Sequence, residues 1–431
     1  MTGVTRRTFL RNAAIAAAAL RARPALAAVS GAAPEKLISL GGPTALSPGS
    51  VHDYRFWGNG ADVLATGTRW IKLWVAWSQL QGLYARPRTM AESWGQLGAG
   101  VPGTPGYGLR VLDEQVAAAN DDGVKVLLCL QHDAPEWAGR LPGEPQLSPP
   151  PRHNVTQRLP RDTGSESPFG WFVAHVCARY RRGAPANMSG PRVPGPGELG
   201  LPGLDPGFGN PSGAFVDAIE VGNEPNLMSW PLEEAPRRAA EMLVTADEWS
   251  ARLRGPAILG PATSDTDGRA GIRINYLDFT RAVLRELVGW RPRGQVAWSH
   301  HNYGDMADGV AERLGRVRDA LEAAGWHDNA IWLTEGGYDT TPHGRPQTVV
   351  TDRERRKQAR VIAEGYRAAV AFSEAAEREG RIGVLPTFAQ HVIHDQDTPT
   401  NTFKSGLRDD FRSEPPTVGA RRPAWFAWRD L

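Results

Sequence analysis

Two glutamates follow directly on short apolar stretches of the chain. Glu224 closes the apolar part of the segment DAIEVGNEPNL, and Glu335 closes that of IWLTEGGYD. Each stretch has the character of a buried strand, yet each delivers a carboxyl group at its end. Two such groups can cleave a glycosidic bond, because one protonates the leaving oxygen while the other attacks the anomeric carbon or activates water there.

Further polar and aromatic side chains stand at other apolar stretches. In SHHNYGD, His301 and Tyr303 lie two positions apart and share a face, so we expect Tyr303 to donate a hydrogen bond to Glu335 and keep it ionised. In QHDAPEWA, we expect His132 to point towards the same place and Trp137 to form a stacking wall for a sugar ring. A purely structural role is the alternative for His132 and for His300.

The elements that must position these residues alternate along the chain. Apolar runs predict seven strands at residues 70–77, 124–131, 215–222, 257–262, 295–301, 330–334 and 384–390, with an earlier strand between residues 37 and 56. Amphipathic segments between them predict helices, and several of these segments end in glycine, as a helix C-terminus often does. The chain therefore repeats the unit of strand and helix about eight times.

Short strands that are apolar on both faces and alternate with helices predict a parallel sheet covered by helices. At this length the expected fold is an α/β (β/α)8 TIM barrel, a single domain with long loops over residues 28–431. An open doubly wound sheet is the alternative, but it would need a glycine-rich phosphate loop that the sequence lacks. In a barrel, Glu224 on strand four and Glu335 on strand seven face each other, and we expect a separation of about 5 to 5.5 Å.

Three inserts interrupt the regular spacing of the repeats. Residues 81–108 and 139–167 follow strand ends, where a barrel keeps its functional loops. Residues 184–213 are dense in proline and glycine and precede the fourth strand, which places them at the opposite end as a surface excursion.

The same motifs resemble a known clan. IEVGNEPN and IWLTEGGY, with SHHNYGD between them and QHDAPEWA before, resemble the retaining (β/α)8-barrel glycoside hydrolases, above all families 5 and 39, from about residue 70 to the eighth strand. The resemblance implies that Asn223 binds the sugar 2-hydroxyl, that Glu224 is the acid/base, that Glu335 is the nucleophile, and that His301 and Tyr303 form the strand-six pair.

The chain departs from family 5 at two strands. Where that family usually has an arginine near the nucleophile, strand two offers Lys72, which cannot make the same forked contact. Where the family has a tryptophan under the catalytic subsite, strand eight reads FAQHVIHDQD, so Gln390, His391 or His394 would take its place.

Composition limits the classes of binding partner that we expect. With 49 basic and 47 acidic residues intermixed and a net charge of +2, the chain shows no basic stripe for nucleic acid. The 15 tryptophans suggest flat platforms for the sugar rings of an oligosaccharide, a polysaccharide or another glycoside.

Cys129 and Cys177 lie in a strand and the following helix, where they form either a disulfide or, as we favour, two buried thiols. We expect no cofactor and no metal.

The N-terminus predicts export. Arg6 and Arg7 begin a twin-arginine pattern, which an alanine-rich apolar run and the small-residue site Ala25-Leu26-Ala27 complete. We therefore expect residues 1–27 to be a signal peptide that engages the twin-arginine export machinery, and the mature protein to be periplasmic or extracellular. The apolar run is too short to span a bilayer, so we expect no stable membrane insertion.

Two other functions remain open at this point. A metal-dependent barrel hydrolase would use histidines and an aspartate that converge from strands six and eight, namely His300, His301, His391, His394 and Asp395. A non-catalytic carbohydrate-binding barrel would keep the aromatic groove without turnover.

Overall fold

A computed structural model describes most of the chain after its N-terminal segment. The described residues are 33–41, 50–98, 107–139, 157–182, 186–187, 190–191, 213–269, 273–340, 350–396, 404–413, 416–417 and 419–431. The predicted signal peptide, residues 1–27, lies outside them, as does most of the insert at residues 184–213.

Eight parallel strands form the centre of the molecule. They are β1 (Glu35–Ser39), β2 (Trp70–Ala76), β3 (Lys125–Gln131), β4 (Ala218–Val221), β5 (Ala257–Leu259), β6 (Val296–His301), β7 (Ile331–Glu335) and β8 (Thr387–His391). Neighbouring strands pair in sequence order from β1 to β7, and β8 pairs with β1.

The remaining gap, between β7 and β8, is closed by individual contacts. Ala330 and Val384 form a parallel bridge just before the two strands, and the backbone N–H of His391 donates to the carbonyl of Gly336 at 2.6 Å beyond them. The Thr387 hydroxyl also donates to the carbonyl of Leu333 at 2.9 Å. The strands therefore form a ring, and the ring is the predicted (β/α)8 barrel.

Helices cover the outside of the ring. The helices that follow the eight strands are α1 (Asn59–Ala65), α2 (Tyr107–Asp121), α3 (Pro168–Arg179), α4 (Ala235–Leu253), α5 (Tyr276–Glu286), α6 (Glu312–Ala323), α7 (Asp352–Glu379) and α8 (Pro423–Arg429). α7 ends at a glycine C-cap, as the sequence predicts, because Gly380 adopts the left-handed conformation with φ 64°. In the described part of the chain, no helix combines the length and the apolarity needed to cross a bilayer.

Two core regions follow from the alternation of side chains along the strands. Outward residues pack under the helices in one large core, whereas inward residues such as Leu37, Trp70, Leu127 and Trp332 fill the interior of the barrel. The rings of Trp70 and Trp332 meet edge to face at 5.1 Å and close the barrel below its mouth. The mouth residues therefore stand on a packed base.

Most of the tryptophans are core residues. Nine of the 15 are buried in the fold, so the high count by itself does not indicate sugar platforms; these are Trp70, Trp74, Trp77, Trp94, Trp249, Trp298, Trp332, Trp425 and Trp428. Trp70 and Trp332 fill the barrel interior, whereas others, such as Trp249 and Trp298, fill the space between strands and helices.

The structure sharpens several element boundaries. β4 begins at Ala218 rather than residue 215, and β5 ends at Leu259 rather than residue 262. The insert after β2 contains the short helices Trp77–Gln81 and Met90–Gly98. After β8, the strands His394–Gln396, Arg408–Ser413 and Pro416–Thr417 form a small sheet.

The two cysteines do not form a disulfide. Cys129 and Cys177 are both free and buried, as the favoured interpretation predicts.

Candidate active site

The turn after β4 presents Glu224 at the barrel mouth. Gly222 has φ 85°, a conformation that glycine adopts without steric cost. Glu224 has φ 45° and ψ 51°, which is uncommon for a residue with a side chain, and it begins the short helix Pro225–Met228. Its N–H donates to the carbonyl of Ala262 at 2.9 Å, which ties the turn to the chain after β5.

Two buried side chains hold this turn in place. Asn226 donates to the carbonyl of Ser264 at 2.9 Å and accepts from the N–H of Ser264 at 3.0 Å. His132 accepts from the N–H of Asn223 at 3.3 Å through Nδ1, while its Nε2 lies 2.9 Å from the Ser229 hydroxyl. Burial lowers the pKa of His132 to about 3, so the imidazole is neutral. His132 therefore supports the backbone beneath Asn223, as in the structural alternative.

Glu335, at the end of β7, is surrounded by hydrogen-bond donors. Lys72 Nζ donates to its Oε1 at 2.7 Å, and the Tyr303 hydroxyl donates to its Oε2 at 2.9 Å. Burial raises the pKa of Glu335, but His301 and Lys72 lower it by more, and the net value is about 2. Glu335 is therefore a carboxylate at any pH near neutrality.

His301, at the end of β6, lies between the two glutamates. Its Nδ1 is 3.0 Å from Glu224 Oε1, and its Nε2 is 3.4 Å from Glu335 Oε1. Burial lowers the pKa of His301, but Glu335 and Glu224 raise it, and the net pKa lies above its ordinary value. A single imidazole thus links both carboxyl groups.

The two glutamates are close to each other and nearly buried. One oxygen of Glu224, one oxygen of Glu335 and a ring nitrogen of His301 all lie within 4.8 Å of one another. Glu224 is 9% exposed and Glu335 is 4% exposed, so both face the mouth without being open to bulk water. The two carboxyl groups therefore approach each other closely enough for both to act on one bond of a ligand in the mouth.

Glu220 is a residue of the site that the strand pattern does not identify. This residue of β4 is completely buried, and its carboxylate forms an ion pair with Lys72 Nζ inside the barrel. Burial lowers the pKa of Lys72, but Glu220 and Glu335 raise it above its ordinary value. The available signal was a charge at the inward position of an apolar strand, since a buried charge requires a partner.

On β8, His391 faces the mouth and Gln390 does not. His391 Nδ1 lies 3.9 Å from Glu335 Oε2 and 3.1 Å from the Ser39 hydroxyl, and Trp74 Nε1 donates to the same hydroxyl at 3.3 Å. Gln390 instead donates to the backbone carbonyls of His391 and Ser405, both at 2.6 Å. Of the three candidates at the strand-eight position, His391 is therefore the one beside the glutamates.

Trp137 stands at the edge of the aromatic core behind the β2 and β3 ends. Its ring meets Trp77 edge to face at 5.6 Å, and it is partly buried. Its role as a stacking wall for a sugar ring stays a prediction.

Of the histidines proposed for a metal site, His301 and His391 both lie beside Glu335, but they do not form a metal-binding group with each other. In the part of the chain that the structure describes, the one group of three metal-binding side chains within 4.8 Å is Glu224, His301 and Glu335. His300 points outward, where its ring lies 6.1 Å from that of Tyr276. Side chains alternate along a strand, so neighbouring histidines on β6 cannot face the same way.

By its fold and its mouth, the structure is a (β/α)8 barrel with two glutamates that face each other. Among solved structures, Fpglu1 from Fervidobacterium pennivoraus is similar to the chain with a TM-score of 0.51 and 11% identity, over 92% of this chain and 94% of that one. This likeness confirms the predicted barrel fold.

Two further structures are similar at lower scores. A glucosidase from Croceicoccus marinus has a TM-score of 0.47 and 14% identity, over 86% of this chain and 62% of that one. A family 39 glycoside hydrolase from Bacteroides cellulosilyticus WH2 has a TM-score of 0.46 and 15% identity, over 92% and 63%. This chain thus spans less than two thirds of either protein. No protein-family model and no curated protein matches the sequence.

Proposed function

We propose that this protein is a glycoside hydrolase that cleaves O-glycosidic bonds by double displacement with retention of configuration. The observation that carries the proposal is that one carboxyl oxygen of Glu224 lies within 4.8 Å of one of Glu335, in unequal surroundings. Retaining enzymes hold their two carboxyl groups about 5 to 5.5 Å apart, and inverting enzymes about 6.5 to 9.5 Å apart.

The surroundings of Glu335 suit a nucleophile. Lys72 and Tyr303 donate to its two oxygens, and its pKa of about 2 leaves it ionised. In the first step a Glu335 oxygen forms a bond to the anomeric carbon while the bond from that carbon to the leaving oxygen breaks. In the second step water takes the place of Glu335 and releases the sugar.

The surroundings of Glu224 suit a proton donor. Among the contacts of the described residues, its carboxyl group bonds to His301 and to no lysine or arginine. When Glu224 and His301 share one proton, the pair has no net charge. That proton passes to the leaving oxygen in the first step, and Glu224 recovers a proton from the attacking water in the second. Asn223 would hold the sugar 2-hydroxyl, as the sequence resemblance implies.

A panel of substrates tests the proposal. Dinitrophenyl glucoside, galactoside, xyloside and mannoside, together with a set of polysaccharides, are incubated with the wild type, Glu335→Gln and the control Glu312→Gln. Glu312 is an exposed glutamate on α6, in the outer layer of helices. We expect the wild type and the control to hydrolyse at least one substrate and Glu335→Gln to lose that activity by at least about a thousandfold.

Azide distinguishes the roles of the two glutamates. Glu224→Gln should still form the covalent intermediate from a dinitrophenyl glycoside, because that leaving group needs no proton, and azide should then release a glycosyl azide of retained configuration. Glu335→Ala should give no retained product. Equal behaviour of the two variants, or azide rescue of Glu335→Ala with retention, would contradict the assignment.

Metal analysis tests the remaining hydrolase alternative. A stoichiometric metal ion in the purified protein, with activity that chelation removes, would favour metal-assisted hydrolysis at Glu224, His301 and Glu335 over double displacement. Binding of a polysaccharide without any turnover by the wild type would instead favour a carbohydrate-binding barrel.

We also propose that residues 1–27 direct export through the twin-arginine pathway. The support is the order of arginine pair, apolar run and small-residue site in the sequence. Residues 1–30 fused to a folded reporter should be exported, and replacing Arg6 and Arg7 by lysine should retain the fusion in the cytoplasm. Export of the lysine variant at the wild-type level would contradict the assignment.

A further inference from the structure

A second ion pair lies directly behind the proposed nucleophile. Lys72 is completely buried and contacts two carboxylates, Glu335 through Oε1 at 2.7 Å and Glu220 through Oε2. Glu220 is also completely buried and cannot reach a substrate from its inward position on β4. Burial raises the pKa of the neighbouring Cys129 thiol well above its usual value, which keeps this neighbour uncharged.

The charge around Lys72 changes during the proposed reaction. In the free enzyme the ammonium lies between two carboxylates. In the covalent intermediate Glu335 is an ester without charge, so among the described residues Glu220 is the carboxylate that remains paired with the ammonium. Without Glu220, Lys72 would be a paired cation before the first step and an unpaired buried cation after it, which is strongly unfavourable.

We propose that Glu220 is a positioning residue that balances the charge of Lys72 and thereby sets the relative rates of the two chemical steps. This inference rests on the proposed function. By sharing Lys72, Glu220 limits how strongly the ammonium stabilises the ionised form of Glu335, which would otherwise be a poorer nucleophile. The same sharing keeps the ammonium paired while Glu335 is esterified, so the intermediate is not destabilised.

The direction of the effect follows from the charges. In Glu220→Gln, Lys72 interacts with Glu335 alone, so the ionised carboxylate is stabilised relative to its ester. Formation of the intermediate should slow by about 10- to 100-fold, which is the size expected when one charge is lost a few ångströms from a reacting group in a buried site. Breakdown of the intermediate, in which Glu335 leaves as a carboxylate, should not slow.

Rapid-mixing kinetics with the dinitrophenyl glycoside that the wild type hydrolyses can separate the two steps. The burst of dinitrophenol reports formation of the intermediate, and the steady state reports its breakdown. The matched control is Asp113→Asn, which removes the acid of another buried ion pair, Arg179–Asp113, between α2 and α3. That control should cost stability and leave the ratio of the two rates unchanged. Glu220→Asp retains the charge and should recover most of the ratio.

Each outcome bears on the proposal. A selective loss of the first step in Glu220→Gln supports it. Equal loss of both steps, loss of neither, or failure of Glu220→Asp to recover the ratio overturns it. If Glu220→Gln does not fold, Lys72→Gln/Glu220→Gln removes both charges: an unchanged ratio of the two rates supports the balance, whereas a selective loss of the first step overturns it. Absence of glycosidase activity in the wild type would instead refute the proposed function.

Discussion

Removal of the Tyr303 hydroxyl should lower the free energy of unfolding by an amount that depends on pH. In Tyr303→Phe the ring, which lies near His301 and His391, is retained, and only the O–H that donates to Glu335 Oε2 at 2.9 Å is lost. A hydrogen bond to a charged group contributes about 1.5 to 3 kcal/mol, so its loss should raise the pKa of Glu335 by about one to two units.

The wild-type magnitude follows from the pKa of Glu335. Its fall from 4.5 to about 2 is equivalent to about 3 kcal/mol of stability. Because the pKa in the folded protein is the lower one, this stability is fully present above pH 4.5 and is lost as the pH falls through about 2. In Tyr303→Phe the folded pKa lies closer to 4.5, so less stability is present at pH 7 and less is lost in acid.

Urea unfolding of both proteins measures the difference. Tyr303→Phe should be less stable by about 2 kcal/mol at pH 7, and the difference should narrow below about 1 kcal/mol towards pH 2. Other carboxyl groups titrate alike in both proteins and cancel. Tyr366→Phe on α7 is the control, because its ring packs against Phe388 and the described contacts include no carboxylate partner. A difference that does not change with pH would show that the hydroxyl does not stabilise ionised Glu335.

Three further outcomes are expected. Lys72→Met should destabilise the fold by about 3 to 5 kcal/mol in urea unfolding, because it leaves Glu220 buried without a cation. Lys72→Met/Glu220→Leu should recover at least half of that loss, and a cost of the single variant below about 1 kcal/mol would contradict the buried pair. Asn226→Ala should cost about 1 to 3 kcal/mol and lower kcat more than it raises KM, because the turn that carries Glu224 loses its link to the chain after β5; unchanged kinetics would argue against this link. Cys129 and Cys177 should not react with a thiol reagent in the native protein and should both react in urea, and rapid native labelling would contradict their burial.

Much of the architecture follows from local sequence. The β2 run WIKLWVA and the β3 run KVLLCLQ are apolar on both faces, which is stable only between a packed barrel interior and a layer of helices. Apolar runs that alternate with amphipathic helices then leave few other topologies. The positions of Glu224 and Glu335 at the ends of the fourth and seventh strands follow from the same count. Two short helices, α1 and α8, carry too weak a periodicity to be recognised in the sequence.

The sequence by itself determined the eightfold repeat and the two strand-end glutamates, because periodicity and strand order are local properties of the chain. Only the tertiary structure decided which polar residues meet. Closure of the ring places His391 beside Glu335 and turns Gln390 towards Ser405, since adjacent side chains on a strand point to opposite faces. Closure also brings Glu220 against Lys72 from strands that are not neighbours. Burial of the Glu220 carboxylate is tolerable because the Lys72 ammonium lies beside it, and no property of one strand alone contains that condition.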